Sequence, residues 1–208
     1  MDNLLHIFLI QFAALFFTID AIGLVPIFLS LTSSYSDEER YAINKKGVTV
    51  AFLILMFFAL LGTRVLDAFG ISLAAFKIAG GLLLLLLSIG FVLDKTEVAQ
   101  SYQNDEKHPK SDISVFPLAV PLLSGPAAIS MLIIFMKQAE FEVLKQLMVI
   151  IALLFNMLLC FLILNFSKNI SKIFGRTGIN VLTRIFGILL TALACQFIIN
   201  GIMEAFHL

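Results

Sequence analysis

Long apolar runs dominate the chain, and only short polar stretches separate them. The runs lie at roughly 4–31, 48–66, 71–93, 113–136, 146–166 and 179–203. Each is close to or above the ~20 residues that an α-helix needs to cross a hydrocarbon core. The pattern predicts an all-α polytopic membrane protein with six transmembrane helices and little mass outside the bilayer.

The polar stretches punctuate the helices. In "TSSYSDEERYAINKKG", Ser36 and Glu39 have capping-box spacing, so the second helix is expected to start in water near Asp37. Phe69-Gly70 is expected to end it, and Ser72 to cap the third. Residues 94–112, polar and mixed in charge with Pro109, read as a linker on the cytoplasmic face. The first run has no basic n-region and no small-residue cleavage site after a short apolar core, so it reads as a retained helix.

Composition agrees. Of 208 residues 60% are hydrophobic and 13% charged, and mean hydropathy is +1.03, whereas soluble domains are about one-quarter charged. Net charge is zero, which argues against a nucleic-acid partner. Cys160 and Cys195 lie inside apolar runs and read as small hydrophobes. His6, His108 and His207 lie far apart, nothing has metal-ligand spacing and no Walker A stretch is present, so no cofactor, metal or ATP engine is expected.

Basic residues orient the chain. Arg40, Lys45, Lys46, Lys95, Lys107, Lys110, Lys168, Lys172, Arg176 and Arg184 fall on one face, in the loops expected after helices 1, 3 and 5. Only Arg64, Lys77, Lys137 and Lys145 fall on the other. The richer face is expected to be cytoplasmic, with both termini outside.

The two halves, 1–93 and 113–208, overlay at an offset of 105 residues. Phe69-Gly70 then falls on Phe174-Gly175, and Asp20-Ala21 on Gly125-Pro126. With two more residues allowed, "KIAG" at 77–80 falls on "RIFG" at 184–187. Each half holds three spans, an odd number, so a duplication implies two repeats of opposite membrane polarity.

Matching helices of the halves carry helix breakers. Helix 1, in "FFTIDAIGLVPIFL", has Asp20, Gly23 and Pro26; helix 4 has Pro117, Pro121, Gly125 and Pro126. Proline lacks an amide donor and clashes with the preceding turn. The freed backbone groups persist in a membrane only against protein or a wet cavity. Paired discontinuous helices therefore point to a midplane site, where half-helix amides suit a carboxylate and freed carbonyls suit an ammonium or a cation. Ser124 is positioned to cap the second half-helix, Gly125 to admit close backbone approach and Pro126 to occupy the first turn. Asp20 has three overlapping readings: a helix cap, a ligand for a substrate amine or coupling ion, or a proton carrier. Asn156, mid-run in helix 5, either bonds a neighbouring helix or contacts substrate. The candidate binding set is thus Asp20, Gly23, Pro26, Ser124, Gly125, Pro126 and Asn156, with Thr18, Ser130, Thr191 and Gln196 weaker. Gly80, Gly81 and Gly187 are expected to permit close helix packing, and Lys77 and Arg184 to snorkel.

"IDAIGLVPIFLSLT", "FGISLAAFKIAGGLLLLL" and "DISVFPLAVPLLSGPAAIS" together resemble the signature stretches of the MarC family of bacterial integral membrane proteins. The resemblance covers nearly the whole chain. The family pattern near the first stretch is Asp-Pro-x-Gly; here Ala21 replaces the proline, which implies a sharper break in the second half than in the first. The resemblance implies a six-span inner-membrane protein, and the family includes transporters of small neutral amino acids such as glycine and alanine.

The leading expectation is therefore a secondary carrier for a small zwitterion, coupled to a proton, a cation or the substrate gradient. A non-transporting assembly or envelope-stress factor is the alternative. An intramembrane protease would need two facing carboxylates, and only Asp20 lies well inside a run, so an enzyme is not expected.

Overall fold

A computed structural model describes residues 2–93, 112–139 and 142–206. The expected linker at 94–112 thus lies outside the described residues, apart from Asp112. The elements are α1 (Asp2–Ile19), α2 (Leu24–Leu31), α3 (Asp37–Ala68), α4 (Leu73–Val92), α5 (Ser114–Leu123), α6 (Pro126–Gln138) and α7 (Val143–Phe206). Among the described residues all regular structure is helical. Asp37–Ala68, Leu73–Val92, Val143–Ser167 and Asn180–Phe206 are each long and apolar enough to cross a membrane. Two bent pairs, α1/α2 at 43° and α5/α6 at 54°, raise the number of spans to six if each pair is one crossing. The protein is a multi-pass, all-helical membrane protein.

The terminators of α3 follow from the local sequence. Ser36 Oγ accepts the Glu39 amide at 3.3 Å, and Glu39 Oε2 accepts the Ser36 amide at 2.8 Å, which completes the capping box. At the other end Gly70 adopts φ 63°, Ile71 N–H donates to Leu66 O at 2.8 Å and Gly70 N–H to Asp67 O at 3.0 Å. That is a Schellman stop, and glycine takes its left-handed position without a Cβ penalty. Ser72 Oγ accepts the Ala75 amide at 3.0 Å and starts α4.

One expected loop is absent. The 5–6 connection, with Lys168, Lys172 and Arg176, is helical, and α7 is continuous over 64 residues. The segment "SKNISKIFGRTGIN" contains no proline, and its glycines weaken a helix without forbidding it. The helix nonetheless departs from a straight line. Asn156 bonds Phe12 O at 3.2 Å and Thr183 bonds Pro26 O at 3.1 Å. A straight α7 would separate Asn156 from Thr183 by ~40 Å, whereas the chain from Phe12 to Pro26 advances ~20 Å at helical rise.

The core is apolar (Leu15, Phe28, Leu55, Leu132 and Leu153 are buried), and so is much of the outside, where Phe17, Leu86 and Phe166 are exposed. An outward surface of that kind suits lipid rather than water. Specificity between helices therefore rests on close approach and a few polar links. In the α4–α7 pair, an added Cβ on Gly81 would lie 2.9 Å from Ala194 O, and one on Gly201 2.8 Å from Ala74 O. Thr191 Oγ1 donates to Ser88 Oγ at 2.9 Å in the same seam. Small residues at such interfaces let helix backbones approach. Lys77, expected to snorkel, instead pairs with Glu204 of α7 at 2.6 Å. Lys46 of α3 pairs with Asp112 and so anchors the start of α5. Burial opposes ionisation of Asp112, but Lys46 and Ser114 together hold its carboxyl below the usual carboxylate range.

Gly80 has a distinct role. A Cβ there would fall 2.1 Å from Cγ and 2.3 Å from Cβ of Pro126, a rigid ring at the start of α6. Gly80→Ala is expected to destabilise the folded protein by about 1–3 kcal/mol, the usual range for overpacking. Thermal unfolding in detergent tests this, and an unchanged midpoint would show that α6 can yield at this contact.

Candidate functional site

Both helix breaks open on one cavity. It measures about 200 Å³ and is lined by Asp20 and Gly23 of the first break and by Pro121, Gly125 and Pro126 of the second. Apart from Thr18 the remaining side chains of the wall are apolar, with Leu84 from α4 and Leu190 and Phe197 from α7.

At the first break Asp20 does two jobs. It takes φ 48° and so turns the chain out of α1; Asp is one of the few residues that visits this region readily. Its Oδ1 then accepts the Gly23 amide at 3.1 Å, which fixes the turn that leads into α2. Glycine at 23 follows from this geometry, because a Cβ would lie 2.2 Å from Asp20 Oδ2. The D-x-x-G spacing is thus one unit, a carboxylate folded over a bare Cα. Pro26, read in the sequence as a breaker, sits in the first turn of α2, where a missing N–H costs no helical bond. The break is made by Asp20 and Gly23, and the bend is the smaller of the two.

At the second break Pro117 and Pro121 withhold two amides, and Phe116 and Val120 are extended, at φ/ψ −128/125° and −125/124°. The chain recovers with wide turns, Leu118 N–H to Ile113 O at 3.3 Å and Ser124 N–H to Ala119 O at 2.8 Å. Ser124 also donates its hydroxyl to Ala119 O at 2.7 Å. It therefore closes α5 rather than capping α6, contrary to the sequence expectation. The N-cap of α6 is Gly125, with no side-chain cap, and Pro126 opens the first turn as expected. The Ala127 and Ala128 amides thus lack both an intrahelical acceptor and a side-chain cap. Both residues line the cavity. Gly125 is required by its own chain, because a Cβ would lie 2.7 Å from Pro121 O.

The cavity therefore has a carboxylate on one wall and a bare helix N-terminus, the positive end of its dipole, on another. Among the sequence candidates, Asp20, Gly23, Gly125 and Pro126 come together there, with Thr18 beside them. Thr18 is already bonded through Oγ1 to Ala14 O at 2.6 Å. Pro26, Ser124 and Asn156 do not line it. Asn156 donates to Phe12 O at 3.2 Å and Ala152 O at 2.9 Å, so it ties α7 to α1. Ser130 is buried, Thr191 serves the α4–α7 seam, and Gln196 bonds Asn200 at 2.7 Å.

Sequence reasoning missed the apolar wall, because Leu84 and Leu190 look like any lipid-facing leucine. It also missed Thr183, which holds α7 against α2 through Pro26 O. A hydroxyl inside an otherwise apolar run was the available signal.

The family of MarC integral membrane proteins matches residues 5–206. The chain belongs to the MarC family. A UPF0056 membrane protein of Methanocaldococcus jannaschii is 40% identical, over 97% of this chain and 98% of its own length. Another, from Archaeoglobus fulgidus, is 38% identical over 96% and 94%. One from Aquifex aeolicus is 32% identical over 97% and 95%. No solved structure matches the chain. The MarC match spans both helix breaks and every lining residue of the cavity.

Proposed function

We propose that this MarC-family chain is a secondary carrier for small neutral amino acids, such as glycine or alanine, that binds them between its two helix breaks. The observation that carries the reading is the convergence of Asp20 and the bare N-terminus of α6 on a single cavity. A zwitterion needs both ends: the α6 amides suit its carboxylate, and Asp20 suits its ammonium. A volume of about 200 Å³ excludes large solutes. The apolar remainder of the wall suits a small side chain and keeps the polar contacts strong.

In this reading the halves are inverted repeats and the cavity lies near the midplane of the inner membrane, with both termini outside the cytoplasm. Movement is driven by a proton, a cation or the solute gradient, and the protein is a carrier rather than an enzyme. Purified protein in liposomes tests it. Labelled glycine or alanine should exchange or accumulate above protein-free vesicles. Flux indistinguishable from those vesicles, with either solute and with either a proton or a sodium gradient, would overturn the reading in favour of a non-transporting role.

A further inference from the structure

A second pocket, of about 250 Å³, lies where α2, α3 and α7 meet. Asp37, Arg40 and Asn44 of α3 and Asn165 of α7 supply its polar wall, over a floor of Phe28 and Leu164. Two buried polar atoms here have no partner. Asn44 is 1% exposed, and its Nδ2 donates to Phe161 O at 3.0 Å, but Oδ1 accepts nothing. Arg40 gives Nη2 to Thr32 O at 3.1 Å, and its Nε is buried and unpaired. Buried polar atoms are normally satisfied, so an orphan acceptor and an orphan donor on two residues that line one pocket point to a guest. The guest must donate to Asn44 and accept from Arg40. A zwitterion offers both, an ammonium that donates and a carboxylate that accepts, whereas a free anion or cation offers one.

A third pocket, of about 420 Å³, lies at the opposite end of α3, against α6 and the start of α7. Four of the seven residues that line the first have a counterpart in the other. Phe28, Tyr41, Leu164 and Asn165 line the first, and Ile133, Gln146, Ala59 and Leu60 line the other. Each corresponding pair stands 105 positions apart, the same shift that sets Asp20 on Gly125. Nineteen residues of α3 separate Asn44 from Thr63, or ~30 Å of helix, about one hydrocarbon thickness. The central cavity shares a helix with each: on α2 Ile27 lines it and the adjacent Phe28 lines the first end pocket, and on α6 Ala128 lines it and Ile133 lines the other.

We propose that the end pockets are the repeat-related mouths of one path, and that Arg40 and Asn44 form a second binding site for a small zwitterion at the first mouth. The assignment deepens the carrier reading and rests on it for the use of the path. The test is a Tyr41→Cys chain carrying Cys160→Ala and Cys195→Ala, reconstituted and labelled with a membrane-impermeant maleimide. Tyr41 lines the pocket and is 48% exposed. Glycine should slow labelling at least about threefold. Acetate and methylammonium, each carrying one of its charges, should not. Asn44→Ala and Arg40→Gln should each remove the protection, and Gln146→Cys in the same background should label from the opposite side of the membrane. Unaltered labelling in glycine, equal protection by acetate, protection that survives both substitutions, or same-sided labelling at 41 and 146 would each overturn the proposal. Flux measured on the same vesicles separates the two claims: protection without flux keeps the site and removes the carrier, whereas flux without protection removes the site alone.

Discussion

Asp20→Asn leaves the protein folded and inserted but lowers glycine or alanine flux at least tenfold, a loss of about 1.4 kcal/mol or more. The expectation separates two roles that coincide in the native residue. Asparagine keeps a side-chain oxygen for the Gly23 amide, now accepted by Asp20 Oδ1 at 3.1 Å. It also tolerates the left-handed backbone at φ 48°. The turn and its hydrogen bond survive, and only the charge is lost. Asp20→Ala removes all three, and should further cost the fold about 1 kcal/mol for the lost hydrogen bond and about 1–2 kcal/mol for the backbone. Flux of reconstituted protein, with thermal unfolding as the control for folding, measures both. Native flux in Asp20→Asn would strip Asp20 of any ionised or proton-carrying role and leave it a turn residue.

Gly125→Leu is expected to abolish substrate binding outright. Its Cβ alone would meet Pro121 O at 2.7 Å. That carbonyl has little room to retreat, because Pro121 and Ser124 belong to turns already committed to Ala119 O. The rest of the leucine side chain must then enter a cavity of about 200 Å³, beside the Ala127 and Ala128 amides. A ligand that binds only the folded state raises its apparent stability. Millimolar glycine or alanine should therefore raise the unfolding temperature of the native chain and not that of Gly125→Leu. An undiminished shift would remove residues 124–126 from the site.

Much of this architecture was legible because the bilayer imposes simple length rules. The apolar runs at 48–66 and 71–93 lie within the observed α3 and α4 to within a few residues. Ser36, Ser72 and Gly70 act where local chemistry placed them, because caps and stops are decided within one turn of helix. The 5–6 connection escaped, because a polar stretch with glycines but no proline permits either a loop or a bent helix, and tertiary contacts decide between them. Pro26 and Ser124 were legible as special but not in their roles. A proline breaks a helix or begins one according to the residues before it, and a serine between two segments can close the first or open the second.

The sequence by itself determined that the chain is helical and crosses membranes, and that its first and fourth apolar runs are interrupted at Asp20 and at Gly125. These are matters of hydrophobic length, of missing amides and of spacing along one chain. Only the tertiary structure decided that both interruptions face the same space, that Asn156 ties helices together rather than lining that space, and which leucines form its wall. In a chain apolar on every side, the inward and outward faces carry the same residues. Lipid and protein interior are alike as solvents, so the choice between them is left to close contacts such as Gly80 on Pro126 and to the few hydrogen bonds that cross between helices.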